Sequence, residues 1–88
     1  MGQKIDYIEA LNKIVGIIEE RKIAGINEIS MEVFGSKSMR IVLQTLLIAL
    51  CLYDVIGYSK VGNALVFYVK NKENLKKLIE DWKIKIWL

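Results

Sequence analysis

The first quarter of the chain alternates apolar and polar residues with the period of an α-helix. Asp6 and Glu9 have the spacing of a capping box, and Ile5 lies just outside it as a hydrophobic staple. Glycine adopts left-handed backbone conformations at little cost, so Gly25 is placed to end the helix. The pattern predicts a first helix, beginning after Asp6, whose apolar face consists of Tyr7, Ile8, Leu11, Ile14, Val15 and Ile18.

A second, shorter helix is predicted from Asn27, which can cap it, to about Phe34. Gly35 follows directly and is placed to stop this helix. A short connection that contains glycine lets the next helix leave at a steep angle, as a helix-turn-helix requires. The residues expected to point inward are Ile29, Val33 and Phe34.

The predicted third helix runs from about Met39 to Tyr53, with Ser36 or Ser38 as its N-cap. Only two polar residues interrupt its apolar positions, which are Ile41, Leu43, Leu46, Leu47, Ile48, Leu50 and Leu52. A domain of this size buries only one face of a helix. Some of these side chains must therefore pack beneath the hairpin and the last helix, or else contact another chain.

The period then changes from helical to alternating. Leu65, Phe67 and Val69 fall on one side of a predicted strand, and the residues between them fall on the other. Its partner is the segment 55–60, and the intervening residues 61–64 include Gly62 and Asn63, which tolerate the positive φ of a tight turn. The pattern predicts a β-hairpin with Lys60 near its tip.

The last segment is predicted to be a helix capped by Asn71 or Asn74, with Leu75, Leu78, Ile79 and Trp82 as its apolar face. Residues 82–88 alternate apolar and charged positions as an exposed strand would, yet they also fit the end of the helix. Two tryptophans and two isoleucines in seven residues indicate an anchor, either into the domain's own core or into a partner. The candidate partner-binding residues are Trp82, Ile84, Ile86 and Trp87.

The predicted order is helix-helix-helix-strand-strand-helix, which makes the fold mainly α with a small β-hairpin. In this order, and in three stretches of sequence, the chain resembles the winged-helix family. These stretches are residues 26–38 as the second helix and turn, the core leucines Leu43, Leu47 and Leu50, and Asp54-Val55-Ile56 at the entry to the first wing strand. The resemblance covers nearly the whole chain and implies one winged-helix domain over residues 1–88, of the small archaeal-type DNA-binding or accessory kind.

For a winged-helix protein, the resemblance implies that the start of the third helix enters the major groove of duplex DNA. The residues within reach of base edges would then be Arg40, Gln44 and Thr45. Lys37 and Ser38 would lie near phosphates. The wing would follow the backbone or the minor groove through Lys60 and Asn63.

The amino-acid composition excludes several kinds of chemical site. The 88 residues include one cysteine, Cys51, and no histidine, so the chain cannot form an internal disulfide or a zinc site from these residue types. We find no glycine-rich phosphate loop and no nucleophile beside a plausible base, so we expect neither an enzyme nor a cofactor. The net charge of +3 divides into −2 over residues 1–36 and +5 over residues 37–88, which fits a nucleic-acid partner without requiring one.

The N-terminal residues lack the apolar stretch of a signal peptide, and the apolar run 41–53 is shorter than the roughly 20 residues that span a bilayer. We therefore expect a cytoplasmic protein, associated with the nucleoid if it binds DNA, and no membrane partner. The absence of proline and histidine, together with abundant isoleucine and lysine, suggests an AT-rich and thermophilic source.

Two functions follow from the sequence. In the first, the domain binds double-stranded DNA as a transcription regulator or chromatin-like protein, and dimerises through its first helix and its tail. In the second, it is a protein-interaction module, an accessory subunit of an archaeal-type replication or transcription complex. Its apolar third helix, or the tail 82–88, would then contact a larger protein.

Overall fold

The computed structural model describes residues 6–36 and 39–87, and for 83–87 it describes the backbone alone. The domain is mainly helical with a small antiparallel sheet, and the predicted order of helices and hairpin strands is confirmed. This architecture is compatible with a winged helix. Its elements are α1 (Tyr7–Arg21), β1 (Ala24–Gly25), α2 (Ile26–Phe34), α3 (Arg40–Leu52), β2 (Ile56–Val61), β3 (Ala64–Val69) and α4 (Asn74–Trp87).

The start of α1 agrees with the prediction, and its end does not. The Glu9 backbone N–H donates to Asp6 Oδ1 at 3.1 Å, so Asp6 caps the helix. The prediction that Gly25 ends the helix is wrong, because α1 ends at Arg21 and Lys22 has a φ of 69°. The early exit lets the chain extend and bury Ala24, which is 1% exposed, against the sheet.

The boundaries of α2 also differ from the prediction at one end only. The helix begins at Ile26 with Gly25 as its N-cap, so Asn27 lies in the first turn and is not the cap. Gly25 belongs to β1, and the chain turns from strand to helix without room for a separate capping residue. Gly35 ends the helix as predicted, with a φ of 68° and its N–H donating to the Met31 carbonyl at 2.9 Å.

Ser36 is not the N-cap residue of the third helix. α3 begins at Arg40, and its N-cap residue Met39 makes no side-chain capping hydrogen bond. The prediction of Ser36 as the cap is therefore wrong, and Ser38 lies outside the described residues. Instead, the buried hydroxyl of Ser30 donates to the Ser36 carbonyl at 2.6 Å and holds the turn against α2.

The sheet has three antiparallel strands in the order β1-β3-β2. Val61 pairs with Ala64 across a two-residue turn, and Gly62 has a φ of 62° at the position where type II′ hairpins place glycine. The predicted hairpin is thus confirmed. The third strand, in which Ala24 pairs with Phe67, was not predicted because two residues are too few to show an alternating pattern.

One hydrophobic core joins the helices to one face of the sheet. Its buried side chains include five of α1, four of α3 and Phe67 of β3. The predicted inner face of the last helix is confirmed, since Leu75 and Leu78 are buried and Ile79 and Trp82 pack against the core. The backbone of α4 stays helical to Trp87, so the strand alternative for residues 82–88 is wrong.

Within the described residues, no helix is both long enough and apolar enough to cross a membrane.

Candidate functional site

The third helix has one buried face and one exposed apolar face. Leu43, Leu46, Leu47 and Leu50 are at most 2% exposed and form part of the core. On the opposite side, Ile41 is 79% exposed, Ile48 60% and Leu52 78%. We call the set Ile41, Thr45, Ile48 and Leu52 the outer stripe, because residues three and four apart share one face of a helix.

The outer stripe is the side of an apolar helix that the core leaves uncovered. No residue from Ile41 to Leu52 is charged, so every side of the helix carries apolar groups whatever its orientation. The core covers only one of these sides. Thr45, the one polar member of the stripe, donates its hydroxyl to the Ile41 carbonyl at 3.1 Å within the same helix. The stripe therefore presents apolar groups to solvent along about 16 Å of α3.

An apolar groove of about 570 Å³ lies between α3 and the hairpin. We call it the hairpin groove. Ile48 and Leu52 of the outer stripe form one wall, and Tyr58 and Leu65 of the hairpin contribute to the other. Tyr58 is 64% exposed and Leu65 41%, so the exposed apolar surface continues from the helix onto the sheet.

A smaller hollow of about 360 Å³ flanks the outer stripe on its other side. It is lined by Ile41 and Thr45 of the stripe together with Tyr7 of α1 and Trp82 of α4. Trp82, predicted as a partner-binding residue, is half-buried here and packs against the domain's own core. The side chains of the other predicted anchors, Ile84, Ile86 and Trp87, lie outside the described part of the chain.

The structure brings two of the predicted DNA-binding residues together. Arg40 and Asn63 line one hollow of about 440 Å³, which the start of α2 closes with Asn27 and Glu28. Lys60 is exposed on β2, where it pairs with Leu65. The hairpin tip and the first residue of α3 therefore face the same hollow.

The other described residues that were predicted to bind DNA, Gln44 and Thr45, do not line this hollow. Gln44 lines the apolar hairpin groove, and Thr45 lies on the outer stripe. Lys37 and Ser38 lie outside the described residues. Gln44 and Thr45 thus accompany apolar side chains, although Gln44 follows Arg40 by one helical turn.

Four cations form ion pairs within the described part of the chain, namely Lys13, Arg21, Lys70 and Lys72. Arg21 pairs with Glu28 at 2.6 Å and also with Glu32, while Lys72 pairs with Glu19 at 3.0 Å. Arg40 and Lys60 form no ion pair with another described residue, but Glu28 lines the same hollow as Arg40. The described cations that were predicted to bind DNA are therefore two separate side chains, Arg40 and Lys60.

Sequence reasoning did not single out Tyr58 and Leu65 as surface residues. Both lie on the same face of the sheet as Phe67. Phe67 is 4% exposed, whereas the residues of the hairpin from Tyr58 to Leu65 are exposed. No local pattern shows which part of a hairpin the helices cover, so only the tertiary structure shows that these two residues are exposed.

Cys51 lines the hairpin groove and is partly buried. Burial raises the pKa of its thiol above the ordinary value, the charge of Lys70 lowers it, and the charge of Asp54 raises it further. A thiol held in its neutral form is a poor nucleophile. Cys51 thus contributes a small apolar surface to the groove.

The described residues include no group of three or more histidine, cysteine or acidic side chains arranged to hold a metal ion. Comparisons with protein-family models, with curated proteins and with solved structures find no match for this chain.

Proposed function

We propose that this chain is a non-enzymatic winged-helix domain that binds another protein through the outer stripe and the hairpin groove. One observation carries the proposal: the third helix exposes Ile41, Ile48 and Leu52 on the face that would lie in the major groove of a DNA reader. A helix that reads base edges needs hydrogen-bonding groups along that face. Aliphatic side chains supply none, and their exposure to water is unfavourable.

The energetic argument favours a protein partner. Burying one exposed isoleucine or leucine contributes about 1.5–3 kcal/mol, so three such side chains together contribute several kcal/mol. The hairpin groove adds Tyr58 and Leu65 to the same surface. Association also costs translational and rotational entropy. Burial of a contiguous apolar surface with an aromatic residue at its edge can offset that cost. Contiguous exposed apolar surface is typical of interaction sites.

Site-specific photo-crosslinking tests this function in the native host. A photoreactive amino acid at position 48 should form a covalent adduct with a protein. The same group at Lys76, an exposed position on α4, should not. Changing Ile41 and Leu52 to glutamate in the chain that carries the probe at position 48 should abolish the adduct, because two charges would have to be desolvated at the contact. Absence of any protein adduct at position 48 would contradict the proposal.

Binding of duplex DNA is the second candidate, and the hollow shared by Arg40 and Asn63 supports it. Here the start of α3 and the wing, including Lys60, would contact phosphates while the rest of the helix stays outside the groove. This function predicts a duplex affinity that falls steeply with salt and weakens when Arg40 and Lys37 are both changed to alanine. No detectable binding at low salt would eliminate it.

A further inference from the structure

We infer that the protein bound by the outer stripe is a second copy of this chain, joined by a two-fold axis that sets the two α3 helices antiparallel. This inference rests on the proposed function, because it names the partner of the same surface. Three features of α3 support it: the spacing of the stripe, the charges at its ends and the extent of the apolar surface around it.

The spacing of the outer stripe is the same in both directions along the helix. Its members follow one another at intervals of four, three and four residues. An antiparallel copy, centred between Thr45 and Ile48, sets Ile41 opposite the partner's Leu52 and Thr45 opposite the partner's Ile48. Each large side chain then meets an apolar or methyl-bearing group. A two-fold interface requires a surface that is complementary to itself, and this stripe has that property.

The charges at the ends of the stripe favour the same orientation. Arg40 stands at the N-terminal end of α3, and Asp54 stands just past its C-terminal end. The Asp54 carboxylate pairs with Lys70 at 3.5 Å but is 70% exposed, so it stays accessible to a second cation. The helix carries no charge between them. Antiparallel packing brings the Arg40 end of each copy near the Asp54 end of the other, and it also aligns opposite poles of the two helix dipoles. Parallel packing would bring like charges together at both ends.

The apolar surface continues beyond the stripe on both sides. A standard interface buries about 800 Å² per partner, which is roughly an eighth of the 6244 Å² that this chain exposes. Two helices in contact cover only part of that area. Tyr58 and Leu65 at one margin and Tyr7 at the other, each at least 41% exposed, extend the apolar surface on both sides of the stripe.

Sedimentation equilibrium of the full chain, over roughly a thousandfold range of concentration, tests the inference. The chain should fit a monomer–dimer equilibrium. Ile48→Glu should raise the dimer dissociation constant by about a hundredfold or more, because the symmetry places the substitution in the interface twice. Lys76→Gln changes the net charge by the same amount at an exposed site on α4 and should leave the constant unchanged. Both substituted side chains are exposed, so both variants should fold.

A charge-exchange experiment tests the antiparallel arrangement. Arg40→Glu alone places two acidic ends together, and Asp54→Lys alone places two basic ends together, so each variant should dimerise more weakly than the native chain. A mixture of the two variants should recover dimers at the same total concentration, because each contact then joins unlike charges. Asp54 has a φ of 58° and pairs with Lys70, so the thermal melt of the lysine variant serves as its folding control.

Three results would overturn the inference. The first is a chain that stays monomeric at every concentration. If position 48 then still crosslinks to a different protein, the proposed function is retained and only the second copy is excluded as the partner. The second is a dimer that is insensitive to Ile48→Glu and is lost when residues 82–88 are removed, which would place the contact at the C-terminal tail. The third is a mixture of charge variants that associates no better than either alone.

Discussion

At the scale of the residue, two exposed glycines show how one dihedral angle decides the effect of a side chain. Gly16 lies within α1, and Gly35 ends α2 with a φ of 68°. A Cβ atom added at either position would meet no atom within 4 Å. The two sites therefore have the same open surroundings and differ in backbone conformation.

Changing each glycine to alanine should consequently have opposite effects on stability. Gly35→Ala should lower the free energy of unfolding by about 1 kcal/mol, because a side chain strains the left-handed conformation. Gly16→Ala should raise it by about 0.5–1 kcal/mol, because alanine loses less conformational entropy in a helix. Urea denaturation of both variants measures the difference. Equal effects at the two sites would show that the positive φ of Gly35 is not the reason for a glycine at this position.

At the scale of the element, Tyr53 connects the end of α3 to α4 in two ways. Its hydroxyl donates to Asp81 Oδ2 at 2.6 Å, and its carbonyl accepts from Asn74 Nδ2 at 3.0 Å. The hydrogen bond to the Asp81 carboxylate raises the pKa of Tyr53 above its ordinary value of 10.0, and partial desolvation and the negative charge of Asp81 act in the same direction. The helix that carries the outer stripe is thus held at its C-terminal end.

We predict that this pKa is observable in an absorbance titration of the tyrosines, with Tyr53→Phe identifying the signal. Because the folded pKa lies above the unfolded one, the stabilising contribution is complete below about pH 10 and is lost as the pH rises through the folded value. Asp81→Ala should return the pKa of Tyr53 towards 10, whereas Glu80→Ala, at the adjacent exposed position, should not. An unchanged titration in the Asp81 variant would show that the carboxylate does not raise the pKa of Tyr53.

At the scale of the whole molecule, α3 is shared between the core of the domain and its exposed surface. Leu47 is 2% exposed and Leu52 is 78% exposed, although both belong to the same nearly uncharged helix. This division is why the molecule retains an apolar face after its core is complete. It also means that substitutions on the outer stripe test binding without testing folding.

A matched pair of leucine variants should show the division directly. Leu47→Ala should lower the free energy of unfolding by about 3 kcal/mol, since it removes buried methyl groups and leaves a cavity. Leu52→Ala should change it by no more than about 0.5 kcal/mol at concentrations low enough to keep the chain monomeric. Chemical denaturation provides both values. A large loss for Leu52→Ala in the monomer would show that another part of the chain covers the stripe.

Local patterns were sufficient to predict the four helices and the hairpin of this protein. The spacing of Asp6 and Glu9, the glycine at position 35 and the change of period at the hairpin each act within a few residues, so their consequences could be read along the chain. The exit from α1 and the start of α2 could not. Burial of Ala24 against Phe67 determines both, and that contact joins residues far apart in sequence.

The candidate site, too, could be predicted from the sequence only in part. The sequence by itself determined that α3 has more apolar residues than a small domain can bury, because no charged residue lies between Ile41 and Leu52. Only the tertiary structure decided which of them remain exposed, and that Tyr58 and Leu65 extend the same surface. The physical reason is that helical spacing defines the faces of a helix, whereas the packing of α1, α4 and the sheet selects the face that the core covers.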